Sequence, residues 1–314
     1  MSKSVKNIVF ILAAAALFCA PAAAEQSNKQ LKIATTIFPA YDFARAVAGE
    51  KAEITMLVRP GSEVHSFDPS PRDVLSIRNS DVFIYIGGEN ETWVETLLKS
   101  SETRGKTFVR LIEHVGAVRE EIVEGMQAGE KEREHEEQRE YDEHIWTSPG
   151  NAAILVGAIA DALCAADPSN AAEYKSRADK YAAEIRILGE EFKALAASAK
   201  RKKIVFGDRF PFRYFVDEFG LEYRAAFPGC HTESDVSVAV MAYLMKYVES
   251  EGIPVVYTLE LGSGNIARAI AEHTGAKVLT FNSCHNVTRS DFERGATYVS
   301  LMRQNLENLR KGLY

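Results

Sequence analysis

Apolar residues recur along the chain in two rhythms. Short, mainly apolar runs at Leu31–Ile37, Ala52–Val58, Val82–Ile86 and Phe108–Ile112 alternate with stretches of helical period at Tyr41–Val47, Asp73–Ser80 and Trp93–Leu98. Runs that stay apolar instead of alternating mark strands covered on both faces, and helices between them supply the crossovers of a parallel sheet. The pattern starts afresh after residue 200. Lys203–Phe206, Leu221–Phe227, Pro254–Leu259 and Lys277–Phe281 predict four further strands, separated by helices over Pro211–Phe219, Val236–Ser250 and Ile266–His273. The expected fold class is α/β, with two similar four-stranded parallel-sheet lobes, and the length of 314 residues allows two cores.

The lobes need a connector. A helix beginning near Asn151 breaks at Asp167-Pro168, and a second stretch from Ala171 to Ala199 places Tyr174, Tyr181, Ile185, Leu188, Phe192 and Leu195 on one face. No proline interrupts it, so at 1.5 Å per residue it forms a spine about 40 Å long. A stiff spine resists the large hinge closure that flexible crossovers permit. Ser290-Asp-Phe-Glu293 reads as a capping box opening the last helix, whose apolar face is Tyr298, Leu301, Met302, Leu306 and Leu309. The domain expectation is residues 25–168 for the first lobe, 169–200 for the spine and 201–314 for the second lobe.

Residues 1–24 read as a signal peptide. Lys3 and Lys6 precede the apolar run Ile8–Phe18, and Ala22-Ala23-Ala24 supplies a small-residue cleavage site before Glu25. The run is shorter than the roughly 20 residues that span a bilayer, and no other window is expected to do so. Lipid attachment at Cys19 is disfavoured by the bulky Phe18 before it. A periplasmic or extracytoplasmic location follows. Net charge is −7, concentrated in the acidic loop 120–143, which excludes nucleic acid and anionic membrane surfaces as natural partners and suits a cationic ligand. That loop reads either as solvated surface or as a cation-collecting segment beside His144.

Seven histidines bring in the chemistry. His65 lies in the turn-rich stretch Pro60-Gly-Ser-Glu-Val-His65-Ser-Phe-Asp-Pro-Ser-Pro-Arg-Asp73, and His144 in Asp142-Glu-His144-Ile-Trp-Thr-Ser-Pro149; two later loops carry Cys230-His231 and Cys284-His285. In open parallel sheets, ligands sit beyond the carboxyl ends of the strands. His65 follows the second strand of lobe one and His144 its fourth; His231 and His285 hold the matching places in lobe two. Four imidazoles across a cleft suit tetrahedral zinc better than manganese, which prefers carboxylates. Asp208 and Glu233 share the region of His231 and are alternatives to it. His114 and His135 read as surface residues, and His273 as the end of a helix.

Secretion exposes the cysteines to an oxidising compartment. Cys230 and Cys284, both in loops, are the expected bridge, and Cys164 a small core residue within Ile154–Cys164. A Cys₂His₂ site in lobe two is the competing arrangement, disfavoured because thiolates compete poorly with disulfide formation there.

The two histidine segments, extended through Ser148-Pro149-Gly-Asn151-Ala152, resemble the zinc- and manganese-binding receptors of bacterial metal ABC importers, the cluster A-I solute-binding proteins. Gly295-Ala-Thr-Tyr298-Val-Ser-Leu-Met302-Arg-Gln-Asn305 is similar to that family's closing helix. The resemblance covers nearly the whole chain beyond the leader. It implies two lobes on a spine helix, and a metal between them held by His65 and His144. Two departures stand out. The family's third histidine belongs near Gly207-Asp208-Arg209-Phe210, where none occurs, and its usual acidic fourth ligand is met here by Asn282-Ser-Cys-His285.

The function expected is an extracytoplasmic receptor that captures a divalent ion, Zn2+ before manganese or iron, and presents it to an ABC permease as a monomer. A secreted zinc hydrolase is the alternative enzyme class. Against it, Glu136 follows His135 but Arg139 stands where a His-Glu-x-x-His motif needs its second histidine. An adhesin with an incidental metal is the third class.

Overall fold

The computed structural model describes residues 30–99, 106–126, 139–229 and 236–314. Strands β1 (Leu31–Thr35), β2 (Ala52–Met56), β3 (Val82–Tyr85) and β4 (Thr107–Arg110) form one parallel sheet in the order β2-β1-β3-β4. β5 (Lys203–Phe210), β6 (Glu222–Pro228), β7 (Val255–Thr258) and β8 (Lys277–Thr280) repeat that order as β6-β5-β7-β8. The expected α/β class with two like sheets is borne out. Registers run Leu31↔Ala52 and Ile33↔Val82 in the first sheet, Lys203↔Glu222 and Val205↔Val256 in the second. β5 outruns its predicted end at Phe206, and its register against β6 shifts between Phe206 and Arg209. Such an irregularity re-aims the side chains beyond it.

Helices α1 (Phe38–Ala48), α2 (Pro71–Asn79) and α3 (Thr92–Leu98) cover the first sheet. The second carries α6 (Arg213–Phe219), α7 (Val238–Glu251) and α8 (Asn265–Thr274). The Asp-Pro-Ser-Pro run is explained locally: Ser70 and Asp73 form a capping box with Pro71 at the first helical position of α2. Between the sheets lie α4 (Pro149–Ala166), capped by Ser148 accepting from Asn151 N–H, and α5 (Ala171–Ser198), the expected spine. Tyr174, Ile185, Leu188, Phe192 and Leu195 are buried as the period requires. The inner faces of both sheets join α1, α4, α5 and the last helix in one continuous buried cluster, with smaller clusters on the outer faces. The lobes thus share a core, which stiffens the spine further.

Three expectations are corrected. The final helix does not open at Ser290: a short helix α9 (Arg289–Glu293) is capped by Thr288, the chain turns at Gly295, and α10 (Tyr298–Leu313) starts from its own capping box of Thr297 and Ser300. α4 is, by length and composition, apolar enough to cross a bilayer, contrary to the reading that no second window qualifies. Its side chains Leu155, Val156, Ile159 and Leu163 are fully buried in the shared core instead. The acidic segment is not wholly solvated surface: Met126 is buried, Glu121 pairs with Arg213 at 3.2 Å and accepts from Tyr223 Oη at 3.0 Å, and Arg119 bridges to Tyr141. Apolar contact and compensated charge dock its first part on lobe two. The signal peptide and His135 lie outside the described residues.

Candidate metal centre

Three loops deliver three imidazoles to one point. His65 follows β2, His144 follows β4 and His285 follows β8, all beyond carboxyl strand ends. One ring nitrogen from each lies within 4.8 Å of the others. Ring centroids stand 5.0 Å apart for His65 and His285, 5.0 Å for His144 and His285, and 5.9 Å for His65 and His144. They wall a cavity of about 30 Å³, shared with Glu63, Arg209, Glu260 and Asn286. That is room for one ion or a water or two.

His144 is the most tightly specified. Asp142 Oδ1 accepts from both its backbone N–H and its Nδ1 at 2.8 Å, so Nδ1 carries the proton and Nε2 presents a lone pair. That Nε2 is buried and has no hydrogen-bond partner among the described residues. An orphaned acceptor at this depth is costly unless something binds it, and a carboxylate behind an imidazole is the support that metal-ligating histidines use. Gly229 packs so close that a Cβ there would stand 3.2 Å from His144 Cε1, which excludes bulk at that position.

His65 is steadied through Nδ1, 3.1 Å from the Asn90 amide nitrogen. Asn90 is held by Glu143, whose Oε1 accepts from its backbone N–H at 2.7 Å and whose Oε2 accepts from its side chain at 3.2 Å. The residue beside one imidazole therefore orients another. His285 takes its place from a kinked loop: Cys284 adopts φ 57, and Ser283 Oγ accepts from His285 N–H at 3.1 Å. Glu260 accepts from Ser283 N–H at 2.8 Å and Oγ at 2.7 Å, tying that loop to the end of β7.

Electrostatics favours the neutral ring at His65 and His285 and sets a carboxylate behind His144. Burial, with repulsion from His144 and Arg209, holds His65 down to about 4. Burial and the other two histidines push His285 well below its usual range. Burial also disfavours a charged His144, but the charge of Asp142 and its hydrogen bond outweigh this and move it up. Two imidazoles are ready donors at neutral pH, and the third carries its own counter-charge.

Of the four histidines read as ligands, the structure brings His65, His144 and His285 together; His231 lies outside the described residues, as do Glu233 and Cys230. Asp208 does not join the cluster, because Oδ2 accepts from Thr258 Oγ1 at 2.9 Å and Leu259 N–H at 3.1 Å. Arg209 lines the cavity in the stretch where the family's third histidine was expected and pairs with Glu63 at 3.0 Å. Cys284 is a free, fully buried thiol. The expected bridge to Cys230 is therefore not borne out: the Cys284 side chain is enclosed within the shared core, where burial raises its thiol well above the usual range and disfavours the thiolate. His114 is exposed, and His273 sits in the last turn of α8, 3.5 Å from Glu249, as the sequence reading had them. Asn90 and Asn286 were missed. Asn286 adjoins a histidine already singled out, whereas Asn90 carries no signal beyond its place after β3.

A crystal structure of the Zn(II)-bound ZnuA-like domain of Streptococcus pneumoniae AdcA superposes with a TM-score of 0.75 at 27% identity, over 91% of this chain and 99% of that one. Among curated proteins, zinc-binding protein AdcA of Streptococcus pyogenes is 29% identical over 293 residues, 90% of this chain but 56% of its own length, so the chain spans about half of that relative. The high-affinity zinc uptake system protein ZnuA of Bacillus subtilis is 27% identical over 298 residues, 92% of this chain and 90% of the relative. The family model described as ZnuA, zinc-uptake complex component A periplasmic, matches residues 33–312. With that span matched, the resemblance read in the two histidine segments is borne out, and the chain belongs to the family of periplasmic zinc-uptake component A.

Proposed function

We propose that this chain captures a zinc ion between its lobes and delivers it to the permease of an ABC importer. The buried Nε2 of His144, without a partner among the described residues, in a cluster where one ring nitrogen each of His65, His144 and His285 lies within 4.8 Å of the others, carries the reading. Neutral imidazoles suit zinc, while manganese prefers oxygen donors. The names of the curated relatives, zinc-binding and zinc-uptake proteins, support the same cargo. We assign His65, His144 and His285 as ligands. His231 is the proposed fourth: it follows two residues after Gly229, which stands against the His144 ring.

The receptor acts outside the inner membrane as a monomer after removal of residues 1–24, and it turns nothing over. Zinc here is cargo, so the site must release it; a permease that pries the lobes apart would separate His285 from the other two rings. The test is metal analysis of mature protein purified without chelator, followed by zinc and manganese competition. One zinc per chain that manganese fails to displace supports the reading. Preferential manganese loading, or zinc affinity unchanged in His144→Ala, overturns it.

A further inference from the structure

We propose that Asn286 is the positioning residue of this centre, bracing the loop that carries His65 against the loop that carries His285; the proposal rests on the zinc reading above. Asn286 is 1% exposed, and its carboxamide is fully committed. Nδ2 donates to Arg59 O at 2.8 Å and to Ser62 O at 2.9 Å, while Oδ1 accepts from Val287 N–H at 2.8 Å. The two carbonyls admit only a donor, so the amide orientation is fixed by its partners. Beside it, Gly61 at φ 81 donates its N–H to Val287 O at 2.7 Å. Three hydrogen bonds thus cross between the loops, and Ser62 and Asn286 line the same cavity as the two imidazoles.

The geometry gives these bonds a specific task. The His285 loop is anchored on lobe two: Asn305 Oδ1 accepts from Asn282 N–H at 2.7 Å, and Asn305 Nδ2 donates to Asn282 O at 2.8 Å. The Pro60–His65 loop belongs to lobe one and has no regular structure. A side-chain tie to lobe two, Glu63 with Arg209, is partly exposed, at 46% and 20% of the side chains, and such pairs contribute little. Asn286 supplies a buried side-chain link beside the Gly61–Val287 backbone bond, so it helps set the His65 to His285 separation before a ligand contributes any energy. Preorganisation of this kind raises affinity by removing the ordering cost from the binding step, and it holds a tetrahedral arrangement against metals that prefer more ligands.

The test uses full-length mature protein with zinc alone and cobalt(II) alone as probes, in wild type, Asn286→Ala and Asn286→Asp. Cobalt reports geometry, because its visible bands are intense when tetrahedral and weak at higher coordination. The Ala variant is expected to lose zinc affinity by about 10- to 100-fold, the usual effect of removing a supporting contact, with a weakened and shifted cobalt band. Asp keeps the shape and loses both donors; its added charge alone favours a cation, so a changed cobalt band there reports the lost brace, and decides the matter if the Ala variant does not fold. Zinc affinity within about twofold of wild type and an unchanged band in the variants overturn the proposal. A wild type that binds neither zinc nor cobalt overturns the zinc reading and this proposal together, whereas loss on His144→Ala with no effect at Asn286 overturns this proposal alone.

Discussion

Trp146 Nε1 donates to Ser283 O at 2.8 Å, joining the turn that carries His144 to the loop that carries His285. Both partners are buried, and Tyr298 Oη donates to Trp146 O at 2.9 Å from the final helix. Trp146→Phe keeps most of the apolar volume but strands a buried carbonyl, which costs about 1–3 kcal/mol. Denaturant unfolding of the metal-free protein measures that loss, and zinc affinity is expected to fall with it. An unchanged unfolding midpoint would sink the claim that this bond holds the two loops in place.

Asp42 is a second fixed point, outside the three-imidazole cluster. It is 1% exposed and accepts from Tyr181 Oη of the spine at 2.5 Å and from Tyr298 N–H of α10 at 2.8 Å, while Arg45 pairs with its other oxygen. Three helices meet on one carboxylate. Asp42→Ala leaves those donors unanswered and is expected to cost about 3 kcal/mol by the scale of charged hydrogen bonds. Calorimetry that shows less than about 1 kcal/mol would contradict this role.

Acid and base should act differently on Glu91. Burial raises its carboxyl from 4.5 to about 7. The folded state therefore holds a proton that the unfolded state has released between those values, so the stability this group gives is complete below about 4.5 and is lost as pH rises through about 7. Glu91→Gln removes that dependence. The difference between wild-type and variant melting temperatures should grow from pH 4.5 to 7; a difference that stays flat with pH refutes it.

The thiol chemistry follows from Cys284 being free and buried. With Cys284 and Cys164 both free, a chain cleaved after Ala24 should titrate three thiols when denatured. Zinc affinity is expected to be indifferent to reductant, and Cys284→Ala to stay within a few-fold of wild type. A count of one thiol would restore the bridge.

The sequence made the sheets, the spine and the imidazole loops legible, because each rests on a short-range signal. Apolar runs bounded by turns located the strands, helical spacing from Tyr174 to Leu195 located the spine, and the strand-end rule located His65, His144 and His285. What stayed hidden depends on long-range placement. Asn90 and Asn286 are ordinary loop residues until the fold sets one against the His65 ring and the other between the two histidine loops. The docking of Glu121 on lobe two depends on Arg213 and Tyr223, about 90 residues or more further along. Cys284 looked like half of a bridge because loop cysteines in secreted chains usually pair, yet its burial puts it out of play. The closing helix shows the same limit at short range: Ser290 and Thr288 are both competent caps, and the positive φ of Gly295 with the Thr297 capping box separates α9 from α10.

The most direct test is a crystal structure of the zinc-loaded protein with anomalous differences measured at the zinc edge. One peak is expected in the cavity between the lobes, with a nitrogen of His65, His144 and His285 each at about 2.0–2.1 Å. A zinc peak elsewhere, or a bond of about 2.3 Å to a cysteine sulfur, would contradict the three-imidazole site.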